Sequence, residues 1–215
     1  MEITATIPTT LLAFLLASLA LAATPGPGVL YILTRTLAQG KRAGLTSVAG
    51  VALGNLGNAM GASLGLATLF AVSSMAFTIV KLAGAAYLLY LGFRALRPSK
   101  LLPAQARYPR PEFGRIFREG FLVALLNPKT AIFFAAFLPQ FMDPGASAMV
   151  QSACLGAAFV LVAAMTDTGY VLAATLVAPA IGASHRSAAW GRVATAGIYF
   201  GLGIFTAVSG TRAAK

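Results

Sequence analysis

The stretch Leu19-Ala20-Leu21-Ala22-Ala23-Thr24-Pro25-Gly26-Pro27-Gly28-Val29-Leu30-Tyr31-Ile32-Leu33 decides how the rest of the chain is read. Apolar residues lie on both sides of a Thr-Pro-Gly-Pro-Gly interruption, inside a hydrophobic run that covers residues 7–34. Proline has no backbone N–H and its ring clashes with the preceding turn, so Pro25 and Pro27 break a helix that would otherwise continue. The expected element is a membrane helix snapped part-way. A cleavable leader ending at Ala20-Leu21-Ala22 would look similar, but Met1-Glu2 brings no basic segment and the apolar run resumes at Val29, so cleavage is not expected.

Composition points the same way. Of 215 residues, 58% are hydrophobic and 10% charged, against roughly 25% charged in a soluble domain. At about 20 residues per spanning helix, residues 7–34, 45–72, 76–95, 120–142, 148–178 and 190–208 supply six candidate spans. The net charge of +11 is concentrated beside these runs, with seven of the sixteen basic residues between positions 94 and 118. Such flanking charge is juxtamembrane, and the basic stretch lacks aromatic interleaving beyond Tyr108, Phe113 and Phe117, so no nucleic-acid partner is expected. If the spans alternate, the positive-inside rule puts the basic loop of residues 97–119 in the cytoplasm and both termini on the periplasmic side; a re-entrant first segment would invert the N-terminal half.

That loop, spaced by Pro98, Pro103, Pro109 and Pro111, divides the chain in two. Phe113, Ile116, Phe117 and Phe121, with Arg115, Arg118 and Glu119 between them, read as an amphipathic lead-in to the fourth span. Lys81-Leu82-Ala83-Gly84-Ala85-Ala86 through Leu91-Gly92 aligns without gaps on Arg192-Val193-Ala194-Thr195-Ala196-Gly197 through Leu202-Gly203, and Pro25 has a counterpart in Pro128. Each half then holds three helices, and duplicating an odd number of spans inverts the second copy. The expected fold is an all-α membrane protein of six transmembrane helices, two inverted three-helix repeats (residues 1–96 and 120–215) with proline-broken first and fourth helices.

Broken backbone at membrane depth is tolerated where it is buried in protein or lines a wet cavity. Pro25, Pro27 and Pro128 free the carbonyls of Leu21, Ala23 and Ala124, which can hold an ammonium group, while the restarting half-helices can hold a carboxylate. A zwitterionic amino acid presents both. Candidate substrate-binding residues are therefore Thr24, Pro25, Gly26, Pro27, Asn127, Pro128 and Lys129, with Thr24 and Asn127 expected to cap the restarting helices. Asn55 and Asn58 flank a glycine stripe (Gly50, Gly54, Gly57, Gly61, Gly65) and either touch substrate or act as polar glue between helices. The stripe itself serves an internal contact or a homodimer.

Asp167 lies deep in the fifth apolar run. An acid there costs about 2.5–3.5 kcal/mol to insert and is functional by default. Removal from water favours a neutral carboxyl group, so Asp167 is the candidate proton-coupling residue. Lys129 either binds the substrate carboxylate, pairs with Asp167 or snorkels to the headgroups. Lys81 is a second potential charge partner or an interfacial anchor. His185 reads as part of a polar loop. No metal cluster, nucleophile triad or phosphate loop is evident, and neither a cofactor nor a resident metal is expected.

Thr24-Pro25-Gly26-Pro27, Gly40-Lys41-Arg42-Ala43-Gly44, Lys81 to Leu88 with Leu91-Gly92, and Leu126-Asn127-Pro128-Lys129-Thr130 with Phe137-Leu138-Pro139-Gln140-Phe141 together resemble the lysine-exporter (LysE-type) translocator family, in its homoserine, threonine and leucine exporter branch. The similarity runs through essentially the whole chain in order. It implies a multi-pass protein of the bacterial inner membrane that exports a small amino acid from the cytoplasm by exchange for protons. Two alternatives remain at this level. One is a cation exporter on the same scaffold, weakened by the lack of intramembrane Cys or His ligands. The other is a membrane assembly subunit, or an intramembrane enzyme, that transports nothing.

Overall fold

A computed structural model describes residues 3–63, 74–96, 112–143, 145–181 and 185–208. The elements are α1 (Ile3–Ala23), α2 (Pro27–Gln39), α3 (Lys41–Ser63), α4 (Ser74–Leu96), α5 (Phe113–Leu125), α6 (Pro128–Ala136), a 3-10 turn (Leu138–Phe141), α7 (Ala148–Val177), a second 3-10 turn (Ala178–Ile181) and α8 (His185–Val208). All regular structure among the described residues is helical. The proline-spaced loop of residues 97–111, Gly65 and both chain ends lie outside the described residues.

Both expected breaks are present. Thr10–Ala23 and Pro27–Gln39 meet at 51°, and Phe113–Leu125 and Pro128–Phe141 at 53°. The second break falls after a helix that starts at Phe113, so the amphipathic lead-in and the first half of the fourth apolar run form one rod. Among the described residues, α7 is the one unbroken helix suited by length and composition to crossing a membrane, and up to three spans are reached if each bent pair counts as one. His185 opens α8 instead of lying in a loop.

The outer surface is apolar in the way a lipid-facing protein requires. On α7, Leu161, Met165 and Leu176 are 66%, 76% and 81% exposed, whereas Ser152, Gly156, Phe159, Ala163, Asp167, Val171 and Ala174 form a buried stripe at three- and four-residue steps. Asp167 therefore faces the bundle.

Small residues set the closest packing. Gly50 lies against the backbone of Phe117 and Phe121, and Gly54 against the Phe121 carbonyl and Ala124, so α3 and α5 run in backbone contact. Gly50 and Gly54 of the glycine stripe thus serve an internal seam. The two helices with aligned sequences, α4 and α8, also pair: Gly92 meets the Phe200 ring and Gly203 meets Leu89. Below the first break, Phe14 packs with Phe133, Phe134 and Phe159, joining α1, α6 and α7. Gly40, with φ of 86°, ends α2 by donating its N–H to the Thr36 carbonyl at 2.8 Å, which allows α3 to start at once.

Candidate functional site

Each break leaves backbone groups that need partners, and the structure supplies one to each carbonyl that the sequence marks as freed. Leu21 accepts from the Lys129 ammonium at 2.8 Å and from the Thr24 N–H at 3.2 Å. Ala23 accepts from the Tyr170 hydroxyl at 2.8 Å. Ala124 accepts from the Asn58 amide at 2.9 Å and from the Asn127 N–H at 3.1 Å. Lys129 also donates to the Thr24 carbonyl at 2.6 Å. Its ammonium occupies the position that a substrate ammonium was expected to take, which overturns the snorkelling reading.

The restarting helices differ in how they begin. Asn127 precedes α6 and accepts from the Lys129 N–H at 3.0 Å, the expected cap. Thr24 does not cap α2. Gly26 occupies that position with no side chain to offer, and the Thr24 hydroxyl turns back to the Ala20 carbonyl at 2.7 Å, closing the end of α1 instead.

A cavity of about 50 Å³ lies between the two breaks, lined by Thr24, Gly26 and Gly28 of the first, Asn127, Lys129 and Thr130 of the second, Asn55 of α3 and Asp167 of α7. Apolar closure comes from Val29, Val51, Phe159 and Ala163. At roughly 10–15 Å³ per water by this measure, the space holds a few waters, so an amino acid requires the walls to part. Asp167 is 5% exposed and shares the lining with Lys129, and among the described residues no ion pair reaches it. Pro25, Pro27 and Pro128 create the breaks without lining the cavity. Asn58 serves as the bond to Ala124, and Lys81, buried on α4, lies outside the lining.

The sequence of LysE type translocators, as a family model, matches residues 19–210. The chain belongs to the LysE-type translocator family. As a member it is a membrane transporter that acts on small molecules, and not an enzyme. Two relatives carry the name homoserine/homoserine lactone efflux protein, from Salmonella typhimurium and Salmonella typhi; each is 35% identical over 166 residues, covering 77% of this chain and 81% of the relative. An uncharacterized membrane protein of Vibrio cholerae is 33% identical over the same share of both chains. No solved structure gives a significant match.

In this LysE-type chain, sequence reading missed a second cluster. Glu119 is 4% exposed. It takes ion pairs from Arg35, from Arg94 at 2.7 Å and from Arg115 at 3.1 Å, and the Tyr31 hydroxyl lies 3.3 Å from it. These residues tie the ends of α2 and α4 to α5. The available signal was one acid set in the apolar face that Ile116, Gly120 and Val123 bury.

Proposed function

We propose that this chain exports a small amino acid, of the homoserine, threonine or leucine kind, from the cytoplasm across the bacterial inner membrane in exchange for protons. The observation that carries this reading is the Lys129 ammonium seated on the Leu21 and Thr24 carbonyls, opposite Asp167 in one cavity. A pocket that accepts a lysine ammonium from its own chain is shaped for the ammonium of a ligand. The efflux named for the Salmonella relatives supports the direction and the substrate class.

The cycle follows from charge. A substrate ammonium takes the carbonyls of Leu21 and Thr24, its carboxylate meets the start of α6 beside Asn127, and Asn55 and Thr24 contact the remainder. Lys129, displaced, pairs with Asp167, whose carboxyl gives up a proton on the cytoplasmic side. After substrate leaves on the outer side, Lys129 returns to the carbonyls and Asp167 takes a proton there. Substrate and proton thus exclude each other, the condition for exchange.

The six-span inverted repeat, with the basic loop of residues 97–119 in the cytoplasm and the termini outside, provides the two access routes. Support comes from the pairing of α4 with α8, the aligned helices, and from the meeting of the two breaks. Counterflow of amino acids in proteoliposomes under an imposed pH gradient tests the reading. Asp167→Asn is expected to abolish gradient-driven flux while retaining substrate counterflow; unchanged gradient-driven flux removes Asp167 from the cycle, and no counterflow by wild type with any amino acid overturns the function.

A further inference from the structure

The arginine cluster borders a partly open cavity of its own, about 100 Å³, lined by Arg35, Arg94, Arg115, Thr34, Thr195 and Tyr199 among others. It shares no residue with the cavity between the breaks, and Arg35 lies about 12 Å along α2 from Pro27 at 1.5 Å per residue.

The donor count in this cluster does not close. A carboxylate offers about four lone-pair sites and each guanidinium five N–H donors. Glu119 is approached by Arg35, Arg94 and Arg115, which take three of those sites, while the Tyr31 hydroxyl, 3.3 Å away, gives its one proton to the Ile116 carbonyl at 2.7 Å. The other acid at hand, Glu112, is exposed and reaches only Arg115, at 3.3 Å. Among the described residues, the Arg35 Nε is buried with no hydrogen-bond partner. Three guanidiniums thus line a space into which no carboxylate of the described residues projects, with more N–H donors than Glu119 and Glu112 can accept. Their planar forks match a carboxylate or phosphate group.

We propose that this cavity is a binding site for a small carboxylate or similar oxyanion, held by Arg35, Arg94 and Arg115. It stands independently of what the cavity between the breaks carries. The same chemistry could come from a dissolved anion or from a lipid phosphate, and the assignment is to the dissolved anion, because the three arginines line one partly open hollow with room for a carboxylate and several waters.

The test is the melting temperature of the purified full chain in detergent, with sodium acetate or inorganic phosphate replacing chloride at constant ionic strength. A ligand that binds the folded state stabilises it by mass action, so a saturable rise of about 2–4 °C is expected for wild type. Arg118→Gln, which changes an exposed arginine of α5 bonded only to the Gly114 carbonyl, is expected to keep the rise. Arg94→Gln and Arg115→Gln are expected to lose it. Should Arg94→Gln fail to fold, Arg115→Gln decides, since that side chain is 45% exposed. No rise in wild type, an equal rise in Arg115→Gln, or a rise given by phosphatidylglycerol but by neither salt would each overturn the proposal.

Discussion

The Lys129 ammonium reaches the Leu21 carbonyl across 108 positions of sequence, at 2.8 Å, so the second helix break is fastened to the first by one side chain. Helix ends inside a membrane need polar partners that water cannot supply there. Here a cation following one proline supplies them to carbonyls released by another. A purely structural kink would be satisfied by its own neighbours; this one depends on the opposite half of the chain.

Lys129→Met removes both bonds and keeps the length of the side chain. Leu21 retains the Thr24 N–H at 3.2 Å, but the Thr24 carbonyl loses its charged donor. We expect a loss of about 1.5–3 kcal/mol, the range for hydrogen bonds to charged groups, measured by thermal unfolding in detergent. Transport by this variant is expected to lose its dependence on the pH gradient.

Glu119→Gln leaves three arginines facing one another around a neutral amide. Breaking a buried pair by removing one partner costs about 3–5 kcal/mol, and the partial exposure of Arg35 and Arg94 places the expected value at the low end. The double variant Glu119→Gln/Arg94→Gln should recover part of this loss. Additive losses in the double-mutant cycle would show that the pair is not coupled.

Gly54→Ala and Gly50→Ala drive a methyl group into the α5 backbone, where nothing can swing aside. Overpacking typically costs about 1–3 kcal/mol, and here it should also lower the yield of monodisperse protein on gel filtration. Gly201→Ala is the matched control: its added methyl meets nothing within 4 Å, so helix propensity predicts a gain of up to about 1 kcal/mol.

Tyr170→Phe takes the hydroxyl from the Ala23 carbonyl and changes nothing else at the break. A single neutral bond is worth about 0.5–1.5 kcal/mol. Hydrogen exchange at the end of α1 should speed up in this variant; unchanged exchange would mean that Ala23 finds another donor.

Local chemistry made part of this legible in advance. Proline placement gave both breaks, the Asn-Pro pair gave the Asn127 cap, the three- and four-residue glycine spacing gave a close helix seam, and an acid in an apolar run gave Asp167. What escaped depends on where long side chains go once helices pack. Lys129 could be placed on its helix but not on its target, since Leu21 and Thr24 come near it only through the fold. Thr24 read as a cap because it stands before a proline, yet the extra residue Gly26 takes that place. Glu119 read with Arg115 and Arg118 as part of an amphipathic lead-in; its burial under Arg35 and Arg94 depends on helices far away in sequence. The run of residues 45–72 was readable as apolar, but its helix is described only to Ser63.

The α3–α5 seam carries a mechanical meaning. Two rods touching main chain to main chain have no flexible layer between them to yield, so they travel as a plank. Asn55 rides on one rod and Asn127 at the end of the other, which makes them a fixed jamb. In the export cycle proposed above, the shutter is the α1–α2 elbow, which meets the plank through side chains such as Val51 against Gly28, and Lys129, on the Leu21 and Thr24 carbonyls, is the latch that opens with substrate.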